Sequence, residues 1–140
     1  MNFERALQIA TEVHKDQKDR YGAPYILHVM RVMLRGKNED EKIVGLLHDV
    51  VEDSPMTIED LRKEGFSESI LEAVNCLTRP ESESYDDFIQ RIKTSRLAIN
   101  VKLNDLEDNL DMRRLPSVTE KDIPRINKYL KAYHELVVLK

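Results

Sequence analysis

Four ionisable side chains, His48, Asp49, Glu52 and Asp53, stand in an otherwise apolar run that starts at Gly45-Leu46-Leu47 and is ended by Ser54-Pro55. Burying a polar group without a partner costs about 2–7 kcal/mol, and an isolated charge more. The three carboxylates also crowd the carboxyl end of the helix that this run predicts, where the macrodipole is already negative. A bound divalent cation offsets both penalties. Residues four apart share a helix face, so a continuous helix stacks His48 under Glu52 and Asp49 under Asp53. That arrangement suits two ligands followed, one turn later, by two acid–base groups. A plain amphipathic helix would keep His48 in the core and leave the acids in water, which accounts for any one of these residues better than for all four.

The rest of the chain predicts an all-α fold. Only four Gly and five Pro interrupt its 140 residues, and the segments between them carry apolar residues three and four apart. A first helix is expected over about 3–16, with Phe3, Ala6, Leu7, Ala10 and Val13 inward. A loop over 18–24 leads into a second helix over about 25–34, and the third carries His48. Thr57 with Asp60, Ser84 with Asp87, and Thr119 with Asp122 have capping-box spacing and mark further helix starts. Gly65 closes a short helix. Helices over about 95–114 and 123–139 complete the chain, the last with Ile126, Leu130, Tyr133 and Val137 inward. The length and a hydrophobic content of 41% suit one domain over 1–140. No apolar run is long enough to span a bilayer and no amino-terminal signal segment is present, so a cytoplasmic protein is expected. A net charge of −4 argues against a duplex nucleic-acid binder and leaves a small molecule as the expected partner. The single Cys76 reads as a buried helix residue, not a nucleophile.

Two more positions resemble ligands. His28 lies in the apolar stretch Pro24-Tyr25-Ile26-Leu27-His28-Val29, and Asp105 in Val101-Lys102-Leu103-Asn104-Asp105-Leu106. Two His and two Asp on three helices make a mixed nitrogen and oxygen set. Such a set suits Mn²⁺ or another first-row ion better than a thiolate-held structural zinc. Asn109 follows Asp105 by one turn and should face the same cavity, where a neutral amide can orient a substrate. Asp108 and Asp111 fall on other faces and read as solvated charge.

These residues resemble the HD-domain metal-dependent phosphohydrolases, and among them the hydrolase domain of RelA/SpoT homologues, including small stand-alone forms. The family's His-x-Gly-Gln-like segment is similar to His14-Lys15-Asp16-Gln17. Its Gly-Glu-Pro-Tyr-x-x-His is met by Gly22-Ala23-Pro24-Tyr25-Ile26-Leu27-His28. Leu-Leu-His-Asp-Val-Val-Glu-Asp is present unchanged at 46–53, and Lys-Leu-Ala-Asp-x-x-x-Asn is matched over 102–109. The resemblance covers nearly the whole chain and implies a compact helical HD-domain bundle with a hydrolase but no synthetase domain. It implies that His28, His48, Asp49 and Asp105 bind one Mn²⁺ and that Glu52 and Asp53 manage the attacking water and its proton. The implied reaction is hydrolysis of the 3′-pyrophosphate of a guanosine alarmone, (p)ppGpp, with Arg20, Asn109 and Tyr129 contacting the nucleotide. The chain departs from the family in its basic loop, often Arg-Lys-Ser, which reads Asp19-Arg20-Tyr21, and in Asp108, which replaces the histidine of Asp-Arg-x-His-Asn. The altered loop keeps (p)ppApp, NADPH or a nucleoside phosphate as alternative substrates, and a non-catalytic metal- or nucleotide-binding module as an alternative role. Lys18, Arg91 and Lys93 are further candidate phosphate contacts that sequence alone does not rank.

Overall fold

A helical segment that is apolar all round must be covered on every side, and the carboxyl half of α3 (Glu39–Leu47), after its charged first turn, is such a segment. Its Ile43, Val44, Gly45, Leu46 and Leu47 are all buried. In the computed structural model, which describes residues 2–140, α3 is packed against α1 (Asn2–Val13), α2 (Ile26–Leu34), α6 (Glu68–Cys76) and α8 (Arg96–Asn109). Burial of a Leu side chain contributes about 1.5–3 kcal/mol, so Leu46 and Leu47, both fully buried, hold the centre of the bundle. Around this centre lie α4 (Val50–Asp53), α5 (Ile58–Lys63), α7 (Tyr85–Ile92) and α9 (Ile123–Val137), with a short 3-10 turn over Met112–Arg114. The all-α expectation holds: among the described residues the sole β pairing is an isolated bridge between Lys18 and Pro24. None of these helices is long and apolar enough to cross a membrane.

The helix starts follow their caps. Thr57 and Asp60 form a reciprocal capping box at α5, and the Asn38, Ser67, Ser84 and Ser95 side chains each accept from an amide in the first turn of their helices. At Thr119 the expectation fails. Asp122 is the residue that precedes α9, and its carboxylate turns back to the Thr119 amide and hydroxyl. The inner face of α9 differs in part, since Tyr133 and Val137 pack against the core as expected. Ala132 and Leu136 are buried whereas Leu130 is 40% exposed, because α9 meets the bundle mainly through α8. Cys76 is buried, as expected.

The largest departure lies at the centre. The helix expected to run through His48 to Asp53 is broken at His48-Asp49, where Asp49 takes φ −107° and ψ 0°, a sparsely populated backbone region. His48 supplies the reason. Its Nδ1 lies 2.6 Å from the Gly45 carbonyl oxygen, the acceptor that a continuous helix would offer to the Asp49 amide. The expected one-face stack of His48 under Glu52 is thereby replaced by a bend.

Gly45 lets α3 approach α2 closely, since a Cβ there would stand 3.1 Å from Met33 Cα and 3.2 Å from its amide nitrogen. Gly45→Ala gains up to about 1 kcal/mol of helix propensity, but overpacks a contact with rigid backbone at about 1–3 kcal/mol. The expected outcome is a net loss of roughly 1 kcal/mol in urea unfolding, with an unchanged slope. A stabilised variant would show that the two helices part freely at this contact.

Candidate active site

The bend at His48-Asp49 lies where α2 and α8 meet α3, and it brings together the four ligand candidates. One ligand atom from each of His28, His48 and Asp49 lies within 4.8 Å of the others. Asp105 Oδ1 lies 3.0 Å from His28 Nε2 and 3.4 Å from His48 Nε2. Tyr25, on the turn entering α2, donates its hydroxyl to Asp49. Asn109 donates to Asp105 Oδ1 at 3.2 Å, and Lys102 to Asp105 Oδ2 at 2.9 Å.

Both imidazoles have an assignable tautomer. The Gly45 carbonyl only accepts, so His48 Nδ1 carries the hydrogen. Asp108 is an ionised carboxylate, so His28 Nδ1 donates to its Oδ2 at 2.6 Å. The Nε2 lone pair of each ring is thus turned toward carboxylate oxygens. His48 Nε2 is buried without a hydrogen-bond partner among the described residues, although Asp49 Oδ2 stands 3.1 Å away. Lone pairs facing carboxylates demand a cation or a proton between them, and two imidazoles with two carboxylates are a donor set that fits a first-row divalent ion. The electrostatics agree. Burial opposes a charge on His48, but Asp49 and Asp105 outweigh it and lift its pKa well above the ordinary value. Burial likewise works against ionised Asp105, yet the Lys102 ammonium and the two imidazoles hold its carboxyl well below the usual range.

This cluster partitions two cavities of similar size, about 230 and 200 Å³, which share Tyr25, Asn109 and Tyr129. On the His28 side the wall includes Lys18, Arg20, Arg114 and Arg125. On the His48 side it includes Glu52, Arg79, Lys102 and Lys128. The first lobe is rich in cations, whereas in the second Arg79, Lys102 and Lys128 stand among Asp49, Glu52 and Asp105. Lys128 has its pKa lowered by burial and by the neighbouring positive charges of Arg79 and Lys102. Such a pair of lobes suits a ligand with anionic groups at both ends.

Arg20, Asn109 and Tyr129 all line the first cavity, and Lys18 joins them. Arg91 and Lys93 stand elsewhere: Arg91 is held by Glu83 and by the carbonyls of Asn75 and Thr78, and Lys93 pairs with Glu135. Glu52 and Asp53 are parted. Glu52 lines the second cavity and accepts from the Arg79 amide, while Asp53 accepts from Gln17 at 3.2 Å, and Gln17 in turn bonds His14 Nδ1. Burial raises the pKa of both carboxyls above the ordinary value. In the loop, Asp19 accepts from the amides of Tyr21 and Ala23, which makes it a turn former. The ring of Tyr21 lies against the Arg114 guanidinium, 5.1 Å away. Asp108, read as solvated, is buried and bonded to His28, Arg31 and Arg35. Sequence reasoning also missed Lys102, although its spacing of three from Asp105 on one helix was the available signal.

No protein-family model matches the chain. It is 33% identical over 120 residues, 77% of its length, to the guanosine-3′,5′-bis(diphosphate) 3′-pyrophosphohydrolase of Aquifex aeolicus, and covers 17% of that protein. It is 31% identical over 141 aligned positions to the probable enzyme of the same name from Synechocystis, covering 91% of this chain and 18% of that one. The chain spans a fifth or less of the length of these curated relatives. A solved structure, described as a metazoan orthologue of SpoT that hydrolyses ppGpp and plays a role in starvation responses, superposes with a TM-score of 0.78 at 27% identity, over 96% of this chain and 84% of that one.

If the cluster holds a divalent ion in the folded state alone, ion at 100 times its dissociation constant raises the unfolding free energy by about 2.7 kcal/mol. Thermal unfolding with and without Mn²⁺ measures this, and His48→Ala is expected to remove the shift. An equal shift in that variant would place the ion elsewhere.

Proposed function

The chain belongs with the RelA/SpoT-like hydrolases, and from that premise we propose that it is a Mn²⁺-dependent pyrophosphohydrolase acting on the 3′-pyrophosphate of (p)ppGpp or a close analogue. The observation that carries the reading is the cluster of buried His28, His48 and Asp105 with half-buried Asp49, which lies between a cavity walled by Lys18, Arg20, Arg114 and Arg125 and one that includes Arg79, Lys102 and Lys128. A guanosine bis(diphosphate) has anionic groups at both its 5′ and 3′ ends, which matches a positive lobe on each side of the cluster. Names of the relatives support the same substrate class.

In this reading His28, His48, Asp49 and Asp105 hold the ion, whose Lewis acidity polarises a phosphoryl oxygen and makes nearby water more acidic. Glu52 borders the cavity that contains His48 and Asp49. Its burial-raised proton affinity suits it to take the proton from the attacking water. Asp53 acts from behind, holding Gln17 at the cavity wall. Tyr25 steadies Asp49 through its hydroxyl. Arg79, Lys102 and Lys128 neutralise the departing pyrophosphate, while Arg20, Arg125 and Tyr129 hold the nucleoside end. Asn109 turns its amide to Asp105 and to the space between the lobes, orienting substrate without repelling phosphate.

The Asp19-Arg20-Tyr21 loop, which departs from the family's basic one and lines the first cavity, motivates a second reading in which the base is adenine, as in (p)ppApp or NADPH, with the chemistry unchanged. Pyrophosphate or phosphate release from ppGpp, ppApp and NADPH, by metal-free protein with and without added Mn²⁺, separates the readings. Mn²⁺-dependent pyrophosphate release from ppGpp is expected, with Glu52→Gln lowering turnover by about 10²–10⁴-fold and Arg20→Ala acting mainly through KM. Full turnover in Glu52→Gln would overturn the role given to that carboxylate. Release from the adenine nucleotides alone would move the substrate to the second reading.

A further inference from the structure

Asp108 stands where the resembled motif Asp-Arg-x-His-Asn has a histidine, and the structure gives that aspartate a task. Asp108 is 1% exposed. Its Oδ2 accepts from His28 Nδ1 at 2.6 Å, and its Oδ1 accepts from Arg31 Nε at 2.6 Å and from Arg35 at 3.1 Å. Arg114 completes the shell, 3.4 Å from Oδ2 and 2.6 Å from the Asp108 backbone oxygen. Three guanidiniums on one buried carboxylate exceed what neutralising it requires, and they set its plane from three directions. A planar fork contacting a carboxylate is strongly directional, so these contacts leave Asp108 one orientation, with Oδ2 on the imidazole.

We infer that Asp108 is a positioning residue that fixes His28 as its Nδ1–H tautomer and aims Nε2 into the cluster with Asp105 and His48. The three guanidiniums act through it by holding the carboxylate in place. The inference rests on the reading of His28 as a metal ligand. A ring nitrogen bonded to a carboxylate on one side becomes a better and better-aimed ligand on the other, and loss of such a partner weakens metal affinity by about 10–100-fold. An asparagine at 108 would turn a donor or a weaker acceptor toward His28 Nδ1. If its amide donates, the proton moves to Nε2 and the lone pair no longer faces the cluster. Arg114 keeps its bond to the Asp108 backbone oxygen in that variant, so the wall beneath Tyr21 stays in place and the defect falls on the metal.

The test is Mn²⁺ titration by calorimetry on the parent, Asp108→Asn and Arg35→Ala, with the His28 tautomer read by ¹⁵N NMR in metal-free protein at alkaline pH. Asp108→Asn is expected to bind Mn²⁺ about 10–100-fold more weakly, while Arg35→Ala, which removes one of three supports and no contact to His28, changes affinity less than about threefold. The parent is expected to show the Nδ1–H form of His28. Unchanged Mn²⁺ affinity in folded Asp108→Asn would overturn the inference. So would an Nε2–H tautomer in the parent, a measurement that stands even if the variant does not fold. A parent that binds no Mn²⁺ but shows the Nδ1–H tautomer would instead defeat the metal reading and leave the positioning geometry intact.

Discussion

Placing two imidazoles and two carboxylates side by side in a helical interior costs several kcal/mol for each ion left uncompensated, and the local architecture around them answers that cost. Lys102 answers for one oxygen of Asp105, Tyr25 for Asp49, the Gly45 carbonyl for His48 Nδ1 and Asp108 for His28 Nδ1. What these contacts leave facing the centre is a set of nitrogen lone pairs and carboxylate oxygens. That residual charge calls for a cation or a proton, and the donors are already in place for either.

The same contacts tie fold to function. His48 captures the Gly45 carbonyl, so the helix bends there and α4 sets off separately, with Glu52 at the cavity and Asp53 against Gln17. Gly45 meanwhile admits α2 at close range, which brings His28 to within reach of Asp105 on α8. One short segment therefore contributes the close packing, the bend and two of the four ligand candidates. Substitutions at Gly45 and at His48 should accordingly disturb both stability and the site, a coupling expected of ligands placed on core helices.

Much of this was legible in the sequence for a physical reason. His48, Asp49 and Asp105 are hydrophilic groups in apolar helical surroundings, and such groups stand out whenever burial is costly. Helix starts at Thr57 and Ser84 were equally legible, because capping is local. The bend was not, since it depends on a side chain taking a backbone acceptor within its own turn. Asp108 was misread because face assignment presumes that a helix has a wet side. Along α8 only Glu107 is exposed between Val101 and Asp108, so spacing alone could not separate a ligand face from a solvated one. Arg114 and Arg79 reach the cavities from turns whose course no periodicity encodes.

In the proposed function, the cationic side chains on either side of the cluster receive the two anionic ends of the nucleotide. In the same reading the Asp19-to-Tyr21 loop borders the nucleoside end: Asp19 shapes the turn and Tyr21 lies against Arg114. The proposed function depends on a single ion at the partition between the lobes. Anomalous diffraction from crystals grown with Mn²⁺ tests it most directly. The account predicts one strong peak bonded to His28 Nε2, His48 Nε2 and the carboxylates of Asp49 and Asp105, whereas a peak confined to surface carboxylates, with Nε2 of both histidines unbound, would contradict it.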